Sequence, residues 1–168
     1  MKTVKPLVLG LILAALAAPV LAQTPPTAPP AAAPSPPAYG APISLAEAEA
    51  LIDRAIAASA TRGFRMAIAI VEPSGELVAF ARMDDTQYGS IHVALKKATS
   101  AARYRTSTAV MEERVAAGRL VSLANEDTLP IAGGVPIVVD GKIVGAIGVS
   151  GATAAQDQEI ALQTLARP

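Results

Sequence analysis

Residues 131–152 read IAGGVPIVVDGKIVGAIGVSGA, two β-branched runs joined by Asp140-Gly141. Asp-Gly between apolar runs is the strongest short-range hairpin signal, because both central residues of a type I′ turn need positive φ. The turn therefore fixes the register of two strands before anything else in the chain is considered. Gly133, Gly134, Gly145, Gly148 and Gly151 surround it. Each weakens a strand entropically, so their presence points to something that approaches the backbone closely, either a ligand or another subunit. Gly145 and Gly148 are three apart and face opposite sides of a strand, so one pocket cannot use both.

The remaining elements follow from local patterns. Ser44-Leu45-Ala46-Glu47 is a capping box that starts a helix, and Leu45, Ala48, Ile52, Ala55 and Ile56 recur at helical spacing until Gly63 closes it. Residues 64–72 (FRMAIAIVE) and 76–83 (ELVAFARM) are strand-length runs around the turn Pro73-Ser74-Gly75. Residues 87–104 carry Ile91, Ala94, Leu95, Ala98, Ala101 and Ala102 on a narrow, alanine-rich helical face. Thr106-Ser107-Thr108 caps a short helix that stops at Gly118, and residues 120–123 read as a short extended piece. After the glycine-rich hairpin, Thr153-Ala154-Ala155-Gln156 is a second capping box heading a final helix. Hairpins with helices segregated between them argue for α+β, an antiparallel sheet with helices on one face or at its ends.

Ahead of this domain, residues 1–22 (MKTVKPLVLGLILAALAAPVLA) have a basic start, an apolar run and small residues at Val20-Leu21-Ala22, the pattern of a secretory signal peptide cleaved before Gln23. The run is interrupted by Gly10 and Pro19 and is short for a membrane span. The expected destination is periplasmic or secreted. Residues 23–42 include TPPTAPPAAAPSPPAYGAP, a Pro/Ala-rich tether of polyproline character with little to bury, which leaves residues 43–168 as the folded domain. The chain has no cysteine, so it has no disulfide, thiolate metal site or thiol nucleophile. It carries 14 basic and 14 acidic residues, and loss of Lys2 and Lys5 with the leader leaves 12 against 14. Without a basic excess there is no footprint for nucleic acid.

Four ordered pieces carry a family resemblance: Lys96-Lys97-Ala98-Thr99-Ser100-Ala101, then Gly133-Gly134-Val135-Pro136-Ile137, then residues 145–152 (GAIGVSGA), and finally Gln156-Asp157. Together they resemble the haem-binding GlcG/HbpS family, also described as a haem-degrading domain, over essentially all of residues 44–167. The resemblance implies a profilin-like sandwich with a five-stranded antiparallel sheet and flanking helices, assembled as a homo-oligomer. Haem is the cofactor it suggests.

His92 is the only histidine, and imidazole is a common ligand of haem iron. Lys96 lies one helical turn on and shares its face, so the pair could serve iron and a propionate. Equally, both could be solvated or meet another subunit. Met66, Met83, Met111, Tyr88 and Tyr104 are other thioether or phenol candidates. Of these, Met83 and Tyr88 flank the Asp84-Asp85 loop and are placed best to line a cleft, while Met66 reads as core. Gly133, Gly134 and Pro136 offer a backbone poor in side chains against which a macrocycle could lie, its propionate taken by free N–H groups, or they form a bulge or a close subunit contact. Asp157 sits in the first turn of the last helix, where the macrodipole favours a carboxylate. Asp84, Asp85, Glu126 and Asp127 are loop carboxylates, as readily solvated as functional. The chain contains no H-E-x-x-H, G-x-S-x-G or P-loop pattern. The reading is an exported protein that sequesters, carries or senses haem. Its rivals are an enzyme that degrades haem or processes a small organic acid, and an oligomeric module that docks on a membrane sensor.

Overall fold

The computed structural model describes residues 35–166. The leader (1–22) and the first part of the tether (23–34) lie outside the described residues.

Strand β1 (Ala38–Tyr39) precedes helix α1 (Leu45–Thr61), and strands β2 (Ala67–Val71) and β3 (Leu77–Arg82) form the first hairpin. Helices α2 (Gly89–Tyr104) and α3 (Thr108–Ala116) follow, then a 3-10 turn at Leu120–Ala124. Strands β4 (Gly134–Val139) and β5 (Lys142–Ser150) and helix α4 (Ala154–Leu165) complete the order. Both capping boxes form. Ser44 Oγ accepts from the Glu47 N–H at 3.3 Å while Glu47 Oε2 accepts from the Ser44 N–H at 3.0 Å. Thr153 and Gln156 reciprocate in the same way at the start of α4. The Ser44 hydroxyl, which donates to Glu47 Oε2 at 2.7 Å, and the Ser44 N–H hold the Glu47 carboxyl below its ordinary value, the hydroxyl contributing most. The β4–β5 turn has Asp140 at φ 49 and Gly141 at φ 73, both positive as the Asp-Gly signal requires.

Strand β5 organises the sheet. It pairs antiparallel with β4 from Gly134↔Gly148 to Val139↔Lys142 and antiparallel with β2 from Ala67↔Ser150 to Val71↔Ala146. Strand β3 then pairs with β2. The fifth strand corrects two expectations. It is β1, at the end of the stretch read as tether, and it pairs parallel to β5 through Ala38↔Lys142 and Tyr39↔Ile143, so the sheet is mixed rather than antiparallel. A two-residue strand is too short to leave a periodicity in the sequence. It is fixed instead by hydrogen bonds from Gly40 N to Ile143 O and from Ile43 N to Val144 O, each 2.8 Å, and by the Tyr39 hydroxyl, which donates to the carbonyl of Arg103 at 2.8 Å.

Helices cover both faces, not one. Ile68, Ile70, Val135, Ile137, Ile147 and Val149 pack with Leu51, Ile52 and Ala55 of α1 and Ile160 and Ala161 of α4. On the other face Ala67, Ala69, Val71 and Ala146 pack with Ala94, Ala98, Ala101 and Ala102 of α2. The sandwich implied by the resemblance stands, and the single-face reading of the element order does not. The segment read as extended at 120–123 is the 3-10 turn, with Leu120, Val121 and Leu123 exposed.

The glycines explain why α2 is an alanine helix. A Cβ on Gly148 would overlap the Ala94 carbonyl oxygen and lie 2.6 Å from the Ala98 nitrogen. One on Gly134 would overlap the Lys97 carbonyl oxygen. The body that approaches these backbones is α2 of the same chain, which settles the choice between ligand and subunit in favour of neither.

Candidate functional site

The buried polar centre of the fold lies where α2, α4 and the residues leading into β4 meet. Lys97 falls within the alanine stripe of α2, three residues after Ala94 and four before Ala101, so its side chain is carried inward. Its Nζ donates to Asp157 Oδ2 at 2.7 Å and to the Val149 carbonyl at 3.1 Å. The two side chains are 1% and 3% exposed. Asp157 Oδ1 accepts from the Ala152 N–H at 3.0 Å. Burial raises the Asp157 carboxyl above its ordinary value, with Lys97 and the N–H groups of Ala152 and Gly151 pulling the other way. Asp157 is therefore one half of a buried ion pair, beyond the macrodipole role its position suggests.

Gly133, with φ 124, closes over this pair: a Cβ there would stand 2.8 Å from Lys97 Nζ and 2.7 Å from the Val149 carbonyl. Its N–H donates to Gln158 Oε1 at 2.9 Å, and that of Gly134 donates to Thr108 Oγ1 at 2.8 Å. Glu112 Oε2 takes the Ala132 N–H at 2.8 Å. Gly133 and Gly134 are thus buried, with their donors bonded inside the chain, and present no free backbone to a macrocycle or a propionate. That corrects their assignment as cofactor-binding residues. The cause is the pair of polar latches from α3 and α4, distant in sequence.

The other candidates separate onto different surfaces. Tyr88, His92 and Lys96 follow one another at four-residue spacing and form an exposed stripe on α2. The Arg82 guanidinium lies 5.1 Å from the centroid of the Tyr88 ring. An imidazole therefore stands between an aromatic face carrying a guanidinium and an ammonium group. Met83 is not part of this surface. Its sulfur accepts from the Met66 N–H at 3.4 Å and it packs on the α1 side of the sheet, opposite α2. Met66 and Met111 are buried. Tyr104, at the far end of α2, bonds Asn125 at 2.7 Å, and Asp127 beside it pairs with Arg103 at 2.6 Å. Among the described residues no three His, Asp or Glu side chains converge to hold a metal ion.

Pro136 lines a third surface, an open cleft of about 820 Å³ between α1 and the end of β4. Its wall is apolar apart from Glu47 and Arg54, and contains no imidazole, thioether or phenol. The cleft offers no ligand to iron, whereas the α2 stripe joins imidazole, cations and an aromatic face, the donor set that suits a haem with its two carboxylates.

Residues 43–166 match the family model described as "Haem degrading protein HbpS-like". The chain belongs to this family. The HbpS-like chain is 40% identical over 85 residues to Protein GlcG of Escherichia coli (strain K12), a match that takes in 51% of the chain and 63% of GlcG, so it spans less than two thirds of that relative. Among solved structures, the HbpS-like fold superposes on a double mutant of Streptomyces reticuli HbpS with a TM-score of 0.69 at 27% identity, covering 83% of this chain and 97% of that one. It superposes on the PduOC:heme complex with a TM-score of 0.68 at 26% identity, covering 74% and 93%.

Proposed function

We propose that this HbpS-like protein is exported and binds haem on the exposed stripe of α2, with His92 as the iron ligand and Lys96 and Arg82 facing the propionates. The observation that carries the reading is the geometry of that stripe: the sole imidazole of the chain stands exposed between Tyr88 and Lys96 on a helix anchored by its alanine face. A relative of similar fold forms a haem complex, which adds support. Haem, when bound, supplies an iron centre and its visible absorption. The chain's own residues supply an imidazole nitrogen, two cations and an aromatic face. Helix α2 would cover one side of a planar ligand, and a second copy of the chain, in the homo-oligomer proposed with it, would cover the other.

Titration of the chain from Gln23 onward with haemin tests this. The expected result is a saturable Soret change with a low-spin spectrum in the parent. His92→Ala is expected to lose that spectrum and about tenfold or more in affinity, with the fold kept because His92 is exposed. Undiminished binding by the variant would move the iron ligand elsewhere, and no saturable change in the parent would remove haem altogether. For export, amino-terminal sequencing of protein recovered from outside the cytoplasmic membrane is expected to begin at Gln23. An intact Met1 there would overturn cleavage.

A further inference from the structure

The cleft between α1 and the end of β4 lies on the face of the sheet opposite α2, and the haem reading makes no use of it. Its volume of about 820 Å³ is within the range of small-molecule sites, and its apolar wall with few polar groups matches their usual composition. Glu47, Ala50, Leu51 and Arg54 line it from α1 at helical spacing. The two charged groups differ in one respect. Glu47 Oε2 is already held by the Ser44 N–H at 3.0 Å and the Ser44 hydroxyl at 2.7 Å. Arg54 forms no ion pair with any described residue. Seven residues along a helix separate them by roughly 10 Å, so Arg54, unpaired among the described residues, marks one end of the cleft and the occupied carboxylate the other. Between them Ala50 keeps the floor low, and Pro136, Ile137 and Val139 form the opposite wall.

We propose that this cleft binds an apolar carboxylic acid, its carboxylate on the Arg54 guanidinium and its hydrocarbon part along β4. The guanidinium presents parallel N–H donors to a carboxylate in the bidentate manner that a lysine cannot reproduce. A neutral molecule of the same shape gains only the apolar wall.

Calorimetric titration of the full chain with octanoate and with octanol tests the proposal. Octanoate is expected to bind saturably and more tightly than octanol. Arg54→Gln, a change at an exposed position, is expected to weaken octanoate about tenfold and leave octanol unchanged. Ala50→Trp, which fills the floor, is expected to abolish both while haemin titration stays as in the parent, so that failure here and failure of the haem reading are told apart. Equal octanoate affinity in the parent and Arg54→Gln would overturn the proposal, as would no binding of either probe. Conversion of an oligomer to smaller species by Ala50→Trp, with no octanoate effect in the parent, would overturn it in favour of a second copy of the chain on this surface.

Discussion

Lys97→Met is expected to destabilise the fold by about 3–5 kcal/mol, because it removes one member of a buried ion pair and leaves the other without compensation. The substitution keeps most of the side-chain volume, so the loss reports charge and hydrogen bonding more than packing. Asp157 would then have to be neutralised in a site from which Lys97 and water are both excluded. Lys97→Met combined with Asp157→Asn buries no charge and keeps an acceptor for the Ala152 N–H; it is expected to recover most of the loss. Urea midpoints at constant slope measure both steps. A cost below about 1 kcal/mol for the single change, the range of exposed pairs, would show that the pair is solvated. The same pair sets a pH dependence. Burial raises Asp157 in the folded state, so between its unfolded and folded values the native state binds more protons than the unfolded one. Its contribution to stability is complete below the ordinary carboxylate value and is lost as pH rises through the raised one. Asp157→Asn is expected to remove that slope.

Gly148→Ala is expected to cost about 3 kcal/mol or more, an overpacking penalty at the top of the usual range. The added methyl would meet the carbonyl oxygen of Ala94 and the nitrogen of Ala98, both backbone atoms of α2. No rotamer change relieves such a clash. Helix and sheet would have to separate, along with the alanine contacts at Ala67, Ala69 and Ala146. Gly89→Ala is the matched control: nothing lies within 4 Å of a Cβ there, and at an unstrained position the same change commonly stabilises by about 0.4–1 kcal/mol through the unfolded state. Equal stability of Gly148→Ala and the parent would mean that α2 does not rest on β5 as closely as described.

What could be read from the sequence was local. The Asp140-Gly141 turn, both capping boxes and the alanine stripe of α2 each depend on residues a few positions apart, and each forms as expected. What escaped depends on partners far along the chain. Strand β1 exists because of β5, about a hundred residues later, and Pro-rich composition around it argued for a tether. Gly133 and Gly134 looked open because nothing near them in sequence takes their N–H groups; Gln158 and Thr108 do so from α4 and α3. In the candidate site, His92 and Lys96 were legible as one helical face and are placed on one. Lys97 enters the sequence reading only as part of a family motif, although it interrupts Ala94, Ala98 and Ala101, and a lysine at an inward position signals a buried counter-charge. Asp157 supplies it, and its explanation as a helix-start carboxylate hid that partner.

The position of β5 within the chain has a kinetic meaning. Residues 142–150 form the strand to which β1, β2 and β4 are all bonded. During synthesis, the β2–β3 hairpin is the only part of the sheet able to close before that strand emerges, and a lone hairpin is marginal in water. Until then α2 rests only on β2 and lacks the β5 part of its floor, and α1 lacks its neighbour α4, which follows β5 in the chain. Folding of this chain is consequently a late, largely simultaneous event built from contacts of long sequence separation, the regime in which domains fold slowly.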